Sequence, residues 1–405
     1  MRPRYRLARR LATRAELCEA GGVALGAFYF ATFVALGAYL PFFAPWLVGL
    51  GASGTVVGVV LGLAAIAGVL GPPLFGVVAD ALGLRRALLR LAAALALGAA
   101  LGLVVVAKLA PSPLLLGLFA VLFSLFRAPL VTLADVVALE ASARGEARYG
   151  AVRLMGSLGF LLTASLLGGA IDLTRGLAMP LTLALGLGTA FVLSGHLPAA
   201  RPRELARARH LALALRAPGV ARLCVVIALA ELAHAAYDGY FSLRLLALGV
   251  APRLVGGVWA LGVLAEIAFF ALAHRLVRGR EGAFMSLGAL TGAVRFVLLA
   301  WLDEPLWIAL TQPLHALSFG ALWLPGVALA SRRGAARPAT TQGLFQASWT
   351  LGSATGLALF GVVLERAGTR APFVAASFVS TLAAALAMLW LTREPAADEA
   401  ASPAG

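Results

Sequence analysis

Charge is what this chain has least of. Only 13% of its 405 residues are Asp, Glu, Lys or Arg, while 61% are hydrophobic and the mean hydropathy is +0.94. An ordinary soluble domain carries roughly 25% charged residues, so a water-soluble enzyme is excluded. Cysteine is nearly absent. Cys18 and Cys224 lie far apart with no CxxC spacing, which leaves no four-ligand metal site of the usual kind and gives no indication of redox compartment. The sequence also lacks a P-loop, an HExxH motif and a GxSxG elbow, so nothing supports ATP hydrolysis, metalloprotease or serine-hydrolase chemistry. No catalytic residue, metal or cofactor is expected. GLGASG at 49–54 formally fits GxGxxG, but it separates two apolar runs instead of joining a strand to a helix, and it reads as a turn.

Basic residues outnumber acidic ones, 33 to 18, with a pI near 11.3. In a soluble protein that excess would point to nucleic acid. Here the arginines cluster in short runs between apolar stretches, with no aromatic residues interleaved, so a nucleic-acid partner is not expected and a bilayer is. A spanning helix needs about 20 mostly apolar residues. Runs of that kind fall at about 23–46, 54–79, 87–108, 113–139, 150–171 and 177–196, then 219–246, 254–274, 282–301, 306–330, 340–364 and 372–392. The first run is too long for a signal peptide and no small-residue cleavage pattern follows it, so it reads as a retained helix.

Twelve spans put both termini on one side, and the arginines say which. Most of them lie in the N-terminal tail and in the connections after even-numbered runs. The opposite side holds only Lys108, Arg175, Arg253, Arg366 and Arg370. By the positive-inside rule both termini are cytoplasmic. The expected fold is therefore an all-α integral membrane protein of twelve transmembrane helices in two six-helix halves. Residues 1–22 form a cytoplasmic tail, 23–196 the first half, 197–218 a basic cytoplasmic linker, 219–392 the second half and 393–405 a C-terminal cytoplasmic tail. The linker is either a solvated tether or a short helix on the inner leaflet. Two such halves around a midplane cavity are a transporter architecture.

Between the second and third runs stands Gly76-Val-Val-Ala-Asp80-Ala-Leu-Gly83-Leu-Arg85-Arg86. Glycines allow a tight turn, and an aspartate beside arginines can lock a contact that breaks when the halves move. This GxxxDxxGxRR spacing resembles the signature loop of the major facilitator superfamily. The blocks YLPFFAPWLVGLG, PPLFGVVADALGLRR, FRAPLVTLAD, RYGAVRLMGSLGF, GVWALGVLAEIAFF, LHALSFG and TTQGLFQASWTLGSATG resemble, more narrowly, the proton-symporter branch that includes lactose permease and the phenylpropionate-permease-like proteins. The resemblance implies the major facilitator fold, alternating access and protons as a co-substrate.

Ionisable residues inside spans are costly and are functional candidates by default. Asp135, near the end of helix 4, and Arg153, near the start of helix 5, should meet at similar depth, either to hold a polar solute or to neutralise each other. Arg127 lies deep in helix 4, free to attract an anion or to pair with an acid. Arg244, near the outer end of helix 7, is expected to snorkel. Glu231, His234 and Asp238 share one face of helix 7 at i, i+3 and i+7, a stripe suited either to proton transfer or to interhelical hydrogen bonds. Gln342, Gln346 and Trp349 share a face of helix 11, as a solute lining or a packing stripe. The resemblance to lactose permease implies that Asp135 and Arg153 hold the solute. It further implies that Phe160 takes the place of a stacking tryptophan, and that Glu266, Arg295 and His315 form the coupling set. Gln312 and Ser318 stand where that permease has a lysine and a proton-carrying glutamate, so Glu266, Asp238 or Glu231 would have to carry the proton here.

The expected function is secondary transport of a small organic solute, coupled to protons, by a monomer. An aromatic carboxylate is slightly favoured over a sugar or nucleoside, and efflux of an amphipathic compound ranks below both. A polytopic membrane enzyme would need external loops larger than these. Usage rich in Leu, Ala and Arg, with Lys108 the single lysine, points to a bacterial inner membrane.

Overall fold

The computed structural model describes residues 3–82, 84–109, 112–147, 149–171, 176–197, 217–333 and 338–392. Gly83 of the signature loop, residues 198–216 of the linker and the tail 393–405 lie outside the described residues. Among those described there is helix and turn but no strand, as expected where hydrocarbon leaves backbone groups no other partner.

Among the described residues twelve helices follow one another: α1 Pro3–Gly49, α2 Gly54–Leu82, α3 Arg85–Leu109, α4 Pro113–Ala143, α5 Tyr149–Ile171, α6 Ala178–Ser194, α7 Val220–Ala247, α8 Pro252–Leu276 and α9 Glu281–Trp301, with α11 Pro338–Ala367 and α12 Ala371–Leu391 after the broken α10. Eleven of these elements contain segments long and apolar enough to cross a membrane, and α6, with 17 residues, is the short exception. At 1.5 Å per residue α6 is about 26 Å long, slightly under the hydrocarbon thickness. The apolar part of α1 is Gly22–Gly49, so helix continues into the basic segment that the sequence assigns to a tail.

The span Pro305–Arg333 is α10, and it is interrupted. Its first piece is Pro305–Leu310, Pro313–His315 follows a two-residue turn, a π turn covers Ala316–Gly320, and regular helix resumes at Ala321. Pro313 has no N–H to offer the carbonyl of Ala309, and the Gln312 amide takes that carbonyl instead at 3.1 Å. A π turn inside an α-helix is rare and marks functional sites more often than not.

The chain forms two compact units, one of residues 1–51 and 63–205, the other of 52–62 and 206–405. In the first, α1 packs on α5 and α6 while α3 packs on α4 and α6. In the second, α7 packs on α11 and α12 while α9 packs on α10 and α12. The pairing recurs six helices later, an internal repeat. Glycine makes a close contact possible at the matching place in both repeats. A Cβ on Gly159 of α5 would collide with the carbonyl of Phe30 on α1, and one on Gly352 of α11 with the carbonyl of Ala228 on α7.

The repeat extends to ion pairs. Arg85 at the start of α3 meets Glu140 near the end of α4 at 3.3 Å, and Glu281 at the start of α9 meets Arg332 near the end of α10 at 2.7 Å. The charges are exchanged between units. In the second unit the acid sits at a helix N-terminus and the base at a C-terminus, where the helix dipoles favour them; in the first both oppose the dipole.

Arg244 does not snorkel. It is buried in α7, donates to Asp303 at 2.7 Å and reaches the carbonyls of Ala300 and Leu302 at 3.3 Å. Arg370 donates to the same carboxylate at 2.6 and 2.8 Å. Asp303 thus clamps α7, the end of α9 and the α11–α12 connection. Hydrogen bonding from Arg244, and then the charge and hydrogen bond of Arg370, hold its carboxyl below the ordinary carboxylate range. A depressed carboxyl contributes stability above its unfolded pKa of about 3.9, and loses it as pH falls through the lower folded value. Asp303→Asn should therefore lower Tm in detergent near neutral pH, and the gap to wild type should close below about pH 4. A gap independent of pH would show that the carboxylate is not what the clamp relies on.

Candidate functional site

A cluster of polar side chains stands among the helices of each unit. In the first unit Asp135 of α4 accepts hydrogen bonds from Tyr29 of α1 and, at 3.0 Å, from Tyr149 of α5. Arg153, one turn beyond Tyr149, lies with its guanidinium 4.6 Å from the centre of the Phe33 ring and 6.0 Å from that of Tyr29. Asp135 and Arg153 thus belong to one cluster, as their spacing predicts. Two phenols and an aromatic face, rather than a direct ion pair, hold them there. That arrangement leaves both charges able to engage a ligand.

Phe160 is buried in α5, and its carbonyl backs onto Gly37 of α1, 2.6 Å from where a Cβ would stand. Arg127 sits near the middle of α4, two residues before Pro129. Pro129 has no N–H to donate to the carbonyl of Leu125, and Gly71 of α2 comes directly against that carbonyl. The Arg127 guanidinium lies 5.7 Å from the Phe123 ring centre, and its buried Nε has no hydrogen-bond partner.

The second unit gathers α7, α8, α9 and α10 around Arg295, which has no exposed surface. Arg295 lies 4.0 Å from the centre of the Tyr237 ring. Its Nη2 donates to Gln312 Oε1 at 3.2 Å, and its Nη1 reaches Ser318 Oγ at 3.4 Å and His315 Nδ1 at 3.2 Å. Because a guanidinium only donates, His315 Nδ1 must accept, and its ring proton sits on Nε2. That Nε2 faces Glu266 Oε2 of α8 at 3.6 Å. The hydroxyl of Tyr237 donates to the same Gln312 oxygen at 3.0 Å, and Gln312 Nε2 is anchored on the Ile308 carbonyl at 3.1 Å. The break at Pro313 lets one segment of α10 present Gln312 and His315 to Arg295 together.

The stripe on α7 joins this network. His234 Nε2 stands 3.7 Å from Asp238 Oδ1, and the His234 and His315 rings are 5.3 Å apart. Asp238 interacts electrostatically with Arg295 and Glu266, and the buried Glu231 with Asp238. Trp259 of α8 covers Tyr237 at 4.5 Å and donates from its indole to Ser242 at 2.9 Å. The other five residues expected for coupling therefore join Arg295 in one network, Glu231 through Asp238.

Other expectations meet a different arrangement. Gln342 does not act alongside Gln346 and Trp349; it donates to the Val327 carbonyl and to Ser331 Oγ, both at 2.7 Å, tying α11 to α10. Gln346 is exposed. Trp349 joins an aromatic group with Trp323 at 4.7 Å, Phe319 at 5.5 Å and Phe345 at 6.3 Å. Of the signature loop, Arg85 is buried against Glu140 and Arg86 is exposed. The side chains of Gly76 and Asp80 lie outside the described residues. Sequence reasoning passes over Tyr29, Tyr149 and the aromatic group of α10, because neutral polar and aromatic residues are common in spans; only their pairing with Asp135 or with one another sets them apart.

The sequence profile of the MFS_1-like family matches residues 23–375. A probable 3-phenylpropionic acid transporter of Escherichia coli K12 is 33% identical over 322 residues, covering 77% of this chain and 82% of the relative. The maltose permease of Geobacillus stearothermophilus is 30% identical over 382 residues, 92% of this chain and 95% of its own. Among solved structures, the nucleoside transporter NupG superposes with a TM-score of 0.77 at 15% identity, over 92% of this chain and 99% of that one. An auto-inhibited POT family peptide transporter does so with 0.72 at 14%, over 97% and 99%. The chain is thus a multi-pass membrane transporter of a small molecule rather than an enzyme, and it belongs to the MFS_1-like family of the major facilitator superfamily.

Proposed function

We propose that this protein is a proton-coupled secondary transporter that imports a small organic acid with an aromatic body, by alternating access of its two halves. The observation that carries the coupling is His315, set between Arg295 at one ring nitrogen and Glu266 at the other. Three carboxylates, Glu231, Asp238 and Glu266, interact within a network whose fixed cation is Arg295. A network so rich in acid is poised to bind protons, and Glu266, facing the Nε2–H of His315, is the group we assign to carry one. Asp135, Arg153 and Phe160 are the solute-side residues of the first unit. The aromatic-acid reading draws on the in-span arginines and on the relative named for 3-phenylpropionic acid.

A second reading, symport of a sugar or nucleoside, is favoured by the overall identity to a maltose permease and by the Asp135 cluster, whose phenols and carboxylate suit hydroxyl groups. In either case the termini are placed in the cytoplasm and the protein in a bacterial inner membrane as a monomer.

The test is the full chain in sealed liposomes with a trapped pH dye, challenged in turn with aromatic acids, sugars and nucleosides. One solute class should acidify the lumen on entry, and Glu266→Gln should remove acidification and gradient-driven uptake while solute exchange persists. Unchanged active uptake in Glu266→Gln would refute the assignment of the proton to Glu266. Tracer entry without acidification in wild type would refute symport.

A further inference from the structure

The arginines inside the described spans differ in what they already hold. Arg244 and Arg295 have hydrogen-bond partners on other helices, and Arg153 shares its surroundings with Asp135. Arg127 has neither. No hydrogen bond or ion pair reaches it among the described residues, its buried Nε is unsatisfied, and the group acting on it electrostatically is the phenol of Tyr39. It stands fourteen residues into a 31-residue helix, about 21 Å along its axis and so far from either headgroup layer. A guanidinium at such depth without an acid is costly and is retained for a ligand's sake.

The surroundings specify that ligand. Tyr39 of α1 stacks 5.2 Å from Phe123 and 4.7 Å from Phe43, and Phe43 lies 5.7 Å from Trp46. Its hydroxyl is engaged by Ser124 of α4. Tyr39, Phe43 and Trp46 of α1 and Phe123 of α4 thus form an aromatic wall, with the Arg127 guanidinium beside Phe123. Arg127 is also not fully enclosed by protein despite its depth.

Resting on the reading of an organic-acid symporter, we infer that Arg127 is the anchor for the substrate's carboxylate, with the Tyr39–Phe123 wall receiving its ring. A guanidinium offers paired N–H donors that match a carboxylate's two oxygens. Asp135 and its tyrosines are left to orient polar groups elsewhere on the solute, and Arg295 to serve the proton.

Binding to the purified full-length protein tests the inference, measured calorimetrically with 3-phenylpropionate, cinnamate and benzoate, with the neutral 3-phenylpropanamide, and with chloride and phosphate. Wild type should bind at least one aromatic acid about tenfold or more tighter than the amide, and inorganic anions not measurably. Arg127→Gln should lose that preference, its carboxylate affinity falling at least about tenfold while amide binding stays. Arg127→Lys should retain part of it as a point charge. Without ligand, Arg127→Gln should melt no lower than wild type, because no partner is orphaned; if it fails to fold, Arg127→Lys and the wild-type preference still decide. Undiminished acid binding in Arg127→Gln overturns the anchor and leaves the symport reading intact. A wild type that binds none of the acids, prefers the amide, or takes chloride equally well overturns the inference as well; acidification driven by a neutral solute would then show that coupling survives while the substrate class is wrong.

Discussion

Arg295→Gln should abolish concentrative uptake, reducing the accumulated solute at least about a hundredfold, which corresponds to about 2.7 kcal/mol of driving force no longer coupled. The reason is the number of functions that meet at one guanidinium. Arg295 donates to Gln312, Ser318 and His315 and is itself fully buried. Hydrogen bonds to a charged group contribute about 1.5–3 kcal/mol each, and leaving a buried acceptor without its donor costs about as much. Gln312 would still be held by Tyr237, so the shape of α10 survives. His315 would not be fixed. With no donor at Nδ1, its proton can sit on either nitrogen, and the Nε2–H aimed at Glu266 becomes one option of two. The remaining acids would also lack their cation. Proton-dependent accumulation should be lost and downhill exchange kept, at a level that Arg295→Lys only partly restores, because an ammonium cannot span Gln312 and His315 from one planar group. A glutamine variant that still concentrates solute would remove Arg295 from the coupling mechanism.

Gly361→Leu should stop turnover by a different route. The start of α2, residues 52–62, packs within the second unit, against α11. A Cβ on Gly361 would lie 2.5 Å from the Gly54 carbonyl and 2.6 Å from the Cα of Gly58, and one on Gly58 would lie 2.8 Å from the Cα of Gly361. Real Cβ atoms do not come that close to backbone, so one helix must shift. Alongside, Glu365 of α11 accepts the Thr55 amide at 2.7 Å, satisfying one of the free N–H groups at the start of α2. A leucine at 361 breaks the glycine contact and the cap together. Transport should fall to background while solute binding by detergent-solubilised protein is retained. Val57, now without exposed surface, reports the opening: in Val57→Cys chains, a water-soluble maleimide should react at least about tenfold faster when Gly361 is leucine. Equal labelling rates would mean that α2 and α11 had adjusted locally and that the contact does not gate anything.

What could be read without coordinates was set by the cost of burial. Hydrocarbon makes helix the default for a crossing, and the runs at 113–139, 282–301 and 372–392 differ by at most a few residues from Pro113–Ala143, Glu281–Trp301 and Ala371–Leu391. The same cost exposed the site, because a charge in an apolar run stands out; Glu266, Arg295, His315 and the α7 stripe were found that way and do converge. Pieces whose position is not costly stayed hidden. Tyr29 and Tyr149 bind Asp135, yet nothing in the local sequence of either marks it. Gln342 shares a helical face with Trp349 by spacing, but its amide turns to α10, a direction decided by the neighbour and not by the periodicity of α11. Arg244 was misjudged because its acceptor, Asp303, comes from a connection some 59 residues away. The break in α10 has a signal in Pro313, but nothing in the residues 316–320 marks the π turn that follows.

The π turn at Ala316–Gly320 bears on how such a site can move. One extra residue in a helical turn offsets the azimuth of everything beyond it by about 100°. Trp323 and Arg332 lie past the offset, whereas Gln312 and His315 lie before it. Were the wide turn to migrate a few positions toward the N-terminus, His315 would fall on its other side and swing off Arg295 and Glu266, while the ladder lost no more bonds than it has lost already. The extra residue acts as a dislocation in a crystal does: it travels through the lattice one step at a time, and rows that could not slide past each other as a whole are displaced as it goes by.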